Sequence, residues 1–251
     1  MQSLDVFSLS WVLSFCAVIF AAFIRGVAGF GFALTLAPIL LLILNSKSIV
    51  AINLLLGAFS SIVILRSNYR NVNLRGIAPM ALSSLLGIPL GIWLITIITP
   101  STLKMLVGGV TVVFAIPLAL GFTRVFARET VACSISGFLS GFLDASTSLG
   151  GPPVVLFMHN QNWRKQIIHA SLAAYFLFCG VFSLIGLSAS GFMNTQVLIF
   201  TASLVPAAFI GIGVGLVTFR RIDPRFFRGL SLAIIIGAGI LGIISGSGIL
   251  S

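Results

Sequence analysis

The chain has 251 residues, of which only 7% are charged while 59% are apolar, and its net charge is +10 at pH 7. Soluble globular chains run near a quarter charged, so this sequence lacks the polar surface to face water, and it is too apolar to be disordered. The mean hydropathy of +1.21 leaves an integral membrane protein of α-helical type. No basic face with interleaved aromatics appears, which excludes nucleic acid as a partner.

Taken in chain order, the first apolar region runs from Phe7 to Leu44 and is interrupted by Arg25-Gly26-Val27-Ala28-Gly29-Phe30-Gly31. The first five residues carry Asp5 and no basic residue, so the first segment reads as retained and not as a cleavable signal. A single span is expected over 48–65, and another over 76–98, stopped by Thr99-Pro100. A third is expected over 105–123. The region Val131 to Asn162 is interrupted in turn by the stretch from Asp144 to Pro153. A helix over 131–143 would measure about 20 Å, short of a hydrocarbon core of about 30 Å. Both interrupted regions therefore read as short or broken helix pairs meeting at depth, with Pro38, Pro152 and Pro153 as helix breaks. Irregular backbone is tolerated there only where protein or a wet cavity surrounds it. Spans over 167–188, 196–219 and 229–250 complete the chain, the first two separated by the turn 190–195. Nothing alternates as barrel strands would. Cys16, Cys133 and Cys179 lie in apolar segments and read as free thiols.

A shift of 115 residues lays Gly26 on Gly141, Gly29 on Asp144 and Pro38 on Pro153. The expectation is two copies of one plan, 1–126 and 127–251, each a broken or re-entrant pair plus three transmembrane helices. If each pair starts and ends on one side, the copies are inverted. The basic residues fit this: with the 66–75 loop in the cytoplasm, 11 of them fall inside and only Lys47 and Lys104 outside, with Arg25 left within the first interrupted pair. Both termini then lie outside the cytoplasm. Inverted repeats with broken helices at their interface form many secondary transporters, and the substrate sits at the breaks.

The segment from Arg25 to Leu34, ending in Ala37-Pro38, resembles the first signature of the TauE/SafE sulfite-exporter family. Gly137-Phe138-Leu139-Ser140-Gly141, followed by Gly150-Gly151-Pro152-Pro153, resembles the second. Asp144-Ala145-Ser146-Thr147-Ser148 departs from the more glycine-rich pattern of many relatives. The resemblance covers essentially the whole chain. It implies a transporter of small sulfur-containing anions such as sulfite, thiosulfate or sulfonates in a bacterial cytoplasmic membrane, with no cofactor.

Candidate residues follow from the same breaks. Helix N-termini at a break aim N–H groups and positive dipole ends at a cavity, which favours an anion. Gly26, Gly29, Phe30 and Gly31 supply this in the first half. In the second, Gly150 and Gly151 do so, with the hydroxyls of Ser146, Thr147 and Ser148. These glycines would alternatively serve close helix packing. Arg25 would bind the anion or snorkel to an interface. Asp144 would accept a coupling proton, pair with Arg25, or cap a helix. Asn53 and His169, 116 residues apart, would line the cavity or bond a neighbouring helix, His169 being a residue type that titrates near neutral pH. His159 reads as solvated, Trp11, Trp93 and Trp163 as an aromatic belt, and the basic 220–228 loop as a topology signal. The partners expected are a small anion and the lipid bilayer, with a homo-oligomer left open. Two histidines and four acids leave little for an enzyme and no metal site. An anion channel is the main alternative.

Overall fold

A computed structural model describes residues 8–44, 47–120, 129–159, 163–218, 240 and 244, with the backbone alone at 114–120, 129, 159 and 165. Much of the expected span 229–250, the loop 220–228, Arg124, Arg128, both chain ends and the His159 side chain lie outside what is described.

All regular structure among the described residues is helical. The order is α1 (Leu9–Ala28), α2 (Phe32–Leu44), α3 (Ile49–Asn68), a short 3₁₀ turn (Tyr69–Asn71), α4 (Leu74–Ile97), α5 (Pro100–Leu120), α6 (Glu129–Thr147), α7 (Gly151–His159), α8 (Lys165–Ala189) and α9 (Thr195–Thr218). By length and composition α1, α3, α4, α8 and α9 suit a membrane crossing. The molecule is a multi-pass membrane protein. Pro100 opens α5 in the position where a missing N–H costs nothing, and the Thr99 hydroxyl caps the turn by accepting from the Thr102 N–H at 3.2 Å. Asn73 and Asn194 cap α4 and α9 in the same way, accepting from the Gly76 and Val197 N–H groups at 3.0 and 2.9 Å. Lys47 donates to the Ile95 and Thr96 carbonyls at 2.9 and 3.3 Å, closing the far end of α4.

The two interruptions are shorter than the sequence suggests. Only Gly29, Phe30 and Gly31 are non-helical in the first, and only Ser148, Leu149 and Gly150 in the second. Arg25, Gly26, Asp144, Ala145, Ser146 and Thr147 all continue their helices. The first member of each pair is thus no half-helix: α1 has 20 residues and α6 has 19, about 30 Å each. Their partners α2 and α7, with 13 and 9 residues, are too short to cross. The prolines also need correction as breaks. Pro38 lies inside α2, where it only deprives the Leu34 carbonyl of its i+4 donor. Pro152 and Pro153 sit in the first turn of α7, where proline is accommodated.

A shift of 115 residues is likewise off. Arg25 and Asp144 are 119 residues apart, as are the first residues of the two breaks, Gly29 and Ser148. Each break opens with the same bond: the Gly29 N–H donates to the Arg25 carbonyl at 2.7 Å, and the Ser148 N–H to the Asp144 carbonyl at 2.9 Å.

Packing follows a crossed plan. α1 runs along α9, and α6 along α4, in the two most extensive helix contacts, while α3 pairs with α8 between them. Small residues make both long seams possible. A Cβ on Gly26 would sit 2.9 Å from the Gly215 Cα, and one on Gly141 would sit 2.3 Å from the Ser84 carbonyl oxygen. Outward faces such as Leu82, Leu86, Leu90 and Trp93 on α4 are exposed and apolar, as a lipid-facing surface requires. Of the expected belt, Trp93 alone is exposed; Trp11 donates from its indole to Ser203 at 2.7 Å, and Trp163 packs on Gly76. Cys16, Cys133 and Cys179 are free thiols.

Candidate functional site

The two breaks line one cavity. It lies between them and the α3·α8 pair, has a volume of about 40 Å³, and its lining includes Arg25, Phe30, Gly31, Phe32, Asn53, Asp144, Ser148, Gly151 and Phe176. One water needs about 10–15 Å³ of such space, so the cavity admits a few waters or one small oxyanion.

Arg25 does not snorkel. It is 5% exposed, and its Nη2 donates to the Ser61 hydroxyl on α3 at 2.6 Å. Ser61 in turn donates to the Gly57 carbonyl at 3.0 Å. The guanidinium lies between two aromatic faces, 5.9 Å from the Phe32 ring and 5.5 Å from that of Phe176. Its Nε is buried with no partner. The cation is therefore fixed in place with its Nε–H uncommitted.

Asp144 is also buried and lines the same cavity. Its Oδ2 accepts from the Ser183 hydroxyl on α8 at 3.1 Å. It lies within electrostatic reach of Arg25 but makes no ion-pair contact with it. As a residue inside α6 it is no helix cap.

Asn53, 1% exposed, donates from Nδ2 to the Ser148 hydroxyl across the cavity wall at 2.7 Å. Ser148 holds φ +61°, unusual for a residue with a side chain. The reach of Asn53 from α3 into the second break has a counterpart. His169, at the same place in α8, reaches into the first break: its imidazole hydrogen-bonds the Gly26 backbone and packs on Gly29. His169 thus stands behind a break and not in the cavity. Gly29, at φ +80°, leaves the room that the ring takes.

The helix starts differ. In α2 the first intrahelical bond is Thr35 N–H to the Gly31 carbonyl at 3.0 Å, so the N–H groups of Phe32, Ala33 and Leu34 have no acceptor within the helix, and all three residues line the cavity. In α7 the corresponding turn contains Pro152 and Pro153, which have no N–H. Only the first half offers a full donor turn.

The hydroxyls expected to serve a ligand give their protons to backbone carbonyls. Ser146 donates to the Phe142 carbonyl at 2.7 Å, Thr147 to Leu143 at 2.8 Å and Ser148 to Thr147 at 2.6 Å. Ser146 and Thr147 do not line the cavity, and neither do Gly26, Gly29 and Gly150. Gly26 serves the seam with α9, and Gly150 lies against Ser140, whose hydroxyl donates to the Gly150 carbonyl at 2.5 Å. Sequence reasoning missed Phe32, Phe176, Ser61 and Ser183. Phe32 lies within the first signature segment, whereas Phe176, Ser61 and Ser183 are brought in only by the pairing of α3 with α8 around the breaks, which no local motif carries.

A sequence model described as Sulfite exporter TauE/SafE matches residues 14–242, nearly the whole chain. The chain belongs to the TauE/SafE sulfite exporter family. No curated protein and no solved structure matches it. Membership makes it a membrane transporter of the sulfite-exporter type. The matched residues include both breaks and every residue that lines the cavity.

Proposed function

We propose that this member of the TauE/SafE family is a secondary transporter of small sulfur oxyanions, working by alternating access between residues 1–126 and 127–251 as inverted repeats. The observation that carries this reading is Arg25: a buried cation at a break, held by Ser61 and two aromatic rings, with its Nε uncommitted. The free first turn of α2 adds three N–H groups on the same cavity. The crossed helix pairs and the matched breaks support the repeat, and the sided charges support a cytoplasmic membrane with both termini outside.

In this reading the anion accepts from Arg25 Nε and from the α2 first turn. Asp144 is the proton carrier, since it is the one acid among the cavity-lining residues and an anion moved with a proton carries less charge through a medium of low dielectric. His169 adjusts the first break from behind.

Uptake of radiolabelled sulfite or thiosulfate into proteoliposomes tests the reading. Wild-type protein accumulates the anion above its external concentration when a proton gradient is imposed, which a channel cannot do. Arg25→Gln is expected to lose at least about tenfold of that uptake, the loss of one charged hydrogen bond in a buried site. Arg25→Lys recovers little, because an ammonium lacks the planar fork. Asp144→Asn is expected to bind the anion yet lose the response to the proton gradient. An unchanged response at equal expression would remove Asp144 from the coupling.

A further inference from the structure

We propose that the cavity selects a singly charged oxyanion that also carries a hydrogen-bond donor, with Asn53 Oδ1 accepting from that donor. The inference rests on the anion-site reading above and names the class of ligand within it.

The orientation of the Asn53 amide is fixed by its neighbour. The Ser148 hydroxyl gives its one proton to the Thr147 carbonyl at 2.6 Å. Towards Asn53 it can then only accept, so the amide nitrogen must face it, as it does at 2.7 Å. That leaves Oδ1, a buried acceptor with no partner. Leaving such a group dry and unpaired is unfavourable, and native interiors rarely do so without a reason.

Two unpaired groups of opposite sense therefore belong to buried residues of one cavity wall: Arg25 Nε, a donor, and Asn53 Oδ1, an acceptor. The Phe32, Ala33 and Leu34 N–H groups join the donor side. The Asp144 carboxyl joins the acceptor side. A ligand made only of acceptors satisfies Arg25 and the α2 turn but sets lone pairs against Asn53 Oδ1 and Asp144. A dianion does so with a second charge. An oxyanion bearing one O–H or N–H satisfies both sides. A site built to hydrogen-bond a ligand proton discriminates strongly against the analogue without it.

Sulfamate and methanesulfonate test this. Both are single anions with an SO₃ group and similar size near neutral pH, and they differ in an NH₂ against a CH₃. Titration calorimetry on the purified full-length protein is expected to give sulfamate a dissociation constant about tenfold lower or more. In Asn53→Leu the ratio falls towards one. Asn53→Ser, which is too short to reach, is expected to do the same should the leucine variant fail to give a cooperative thermal melt. A wild-type ratio near or below one overturns the inference while the anion site stands. A preference for sulfamate that survives in a folded Asn53 variant also overturns it, because the acceptor must then lie elsewhere. No binding of either anion overturns the anion-site reading and this inference with it.

Discussion

Gly29 shows how tightly single residues are set in this molecule. It holds φ +80°, and a methyl group there would fall 2.5 Å from the His169 ring carbon Cδ2. Backbone strain and collision act together, so Gly29→Ala is expected to lose about 1–3 kcal/mol of stability, seen as a lower melting temperature in detergent. Truncating the ring in His169→Ala removes the collision but not the strain. The double variant should therefore recover part of the loss and not all of it. At this scale the sequence was most legible where it was most unusual. Arg25 and Asp144 stand out because charge is nearly absent from the apolar regions, and both line the cavity. The serine and threonine hydroxyls misled, because Ser146 and Thr147 give their protons to carbonyls one turn back within α6. That choice depends on whether the chain is helical at those residues, which polar composition alone argues against.

At the scale of elements, the seams α1·α9 and α4·α6 are set by the absence of side chains. Gly141 on α6 has the Ser84 carbonyl oxygen 2.3 Å from where its Cβ would be, whereas Gly213 on α9 has nothing within 4 Å. Gly141→Ala is expected to cost about 1–3 kcal/mol or to abolish the folded yield, since the obstacle is backbone and cannot move aside. Gly213→Ala should be neutral or raise stability by up to about 1 kcal/mol. Size-exclusion profiles and thermal melts of the two variants separate these outcomes. Helix order, the turn at 190–195 and the two broken pairs were readable from hydropathy and punctuation. The extent of the breaks was not. α1 and α6 run past their own charged residues because Arg25 finds Ser61 and Asp144 finds Ser183. Those partners sit on α3 and α8, far along the chain, so no local window shows that the charge is already satisfied.

Across the whole molecule, the α3·α8 pair lies at the middle and each member reaches into the opposite break. Alternating access makes a direct prediction there. In a background with Cys16, Cys133 and Cys179 replaced, Ala58→Cys places a thiol on the cavity wall. A membrane-impermeant thiol reagent is expected to reach it from either face of oriented proteoliposomes, depending on the imposed substrate gradient, and bound sulfite should slow the reaction. Labelling from one face under every gradient would count against alternation. The family relationship itself was legible because Gly29-Phe30-Gly31 and Gly150-Gly151-Pro152-Pro153 mark the two places where the backbone must leave the helix. What those places enclose depends on tertiary pairing.

The prolines that open α7 have a further effect on how a ligand would travel. Pro152 and Pro153 remove two of the three first-turn donors that α7 would otherwise present, while Arg25, Asn53 and the first turn of α2 all belong to the first half. In the proposed cycle the strongest donors to the anion would thus come from the first half, while Asp144 of the second half faces it as an acceptor. During reorientation the anion's distance to the start of α2 should hold constant, and its distance to Ser148 should change.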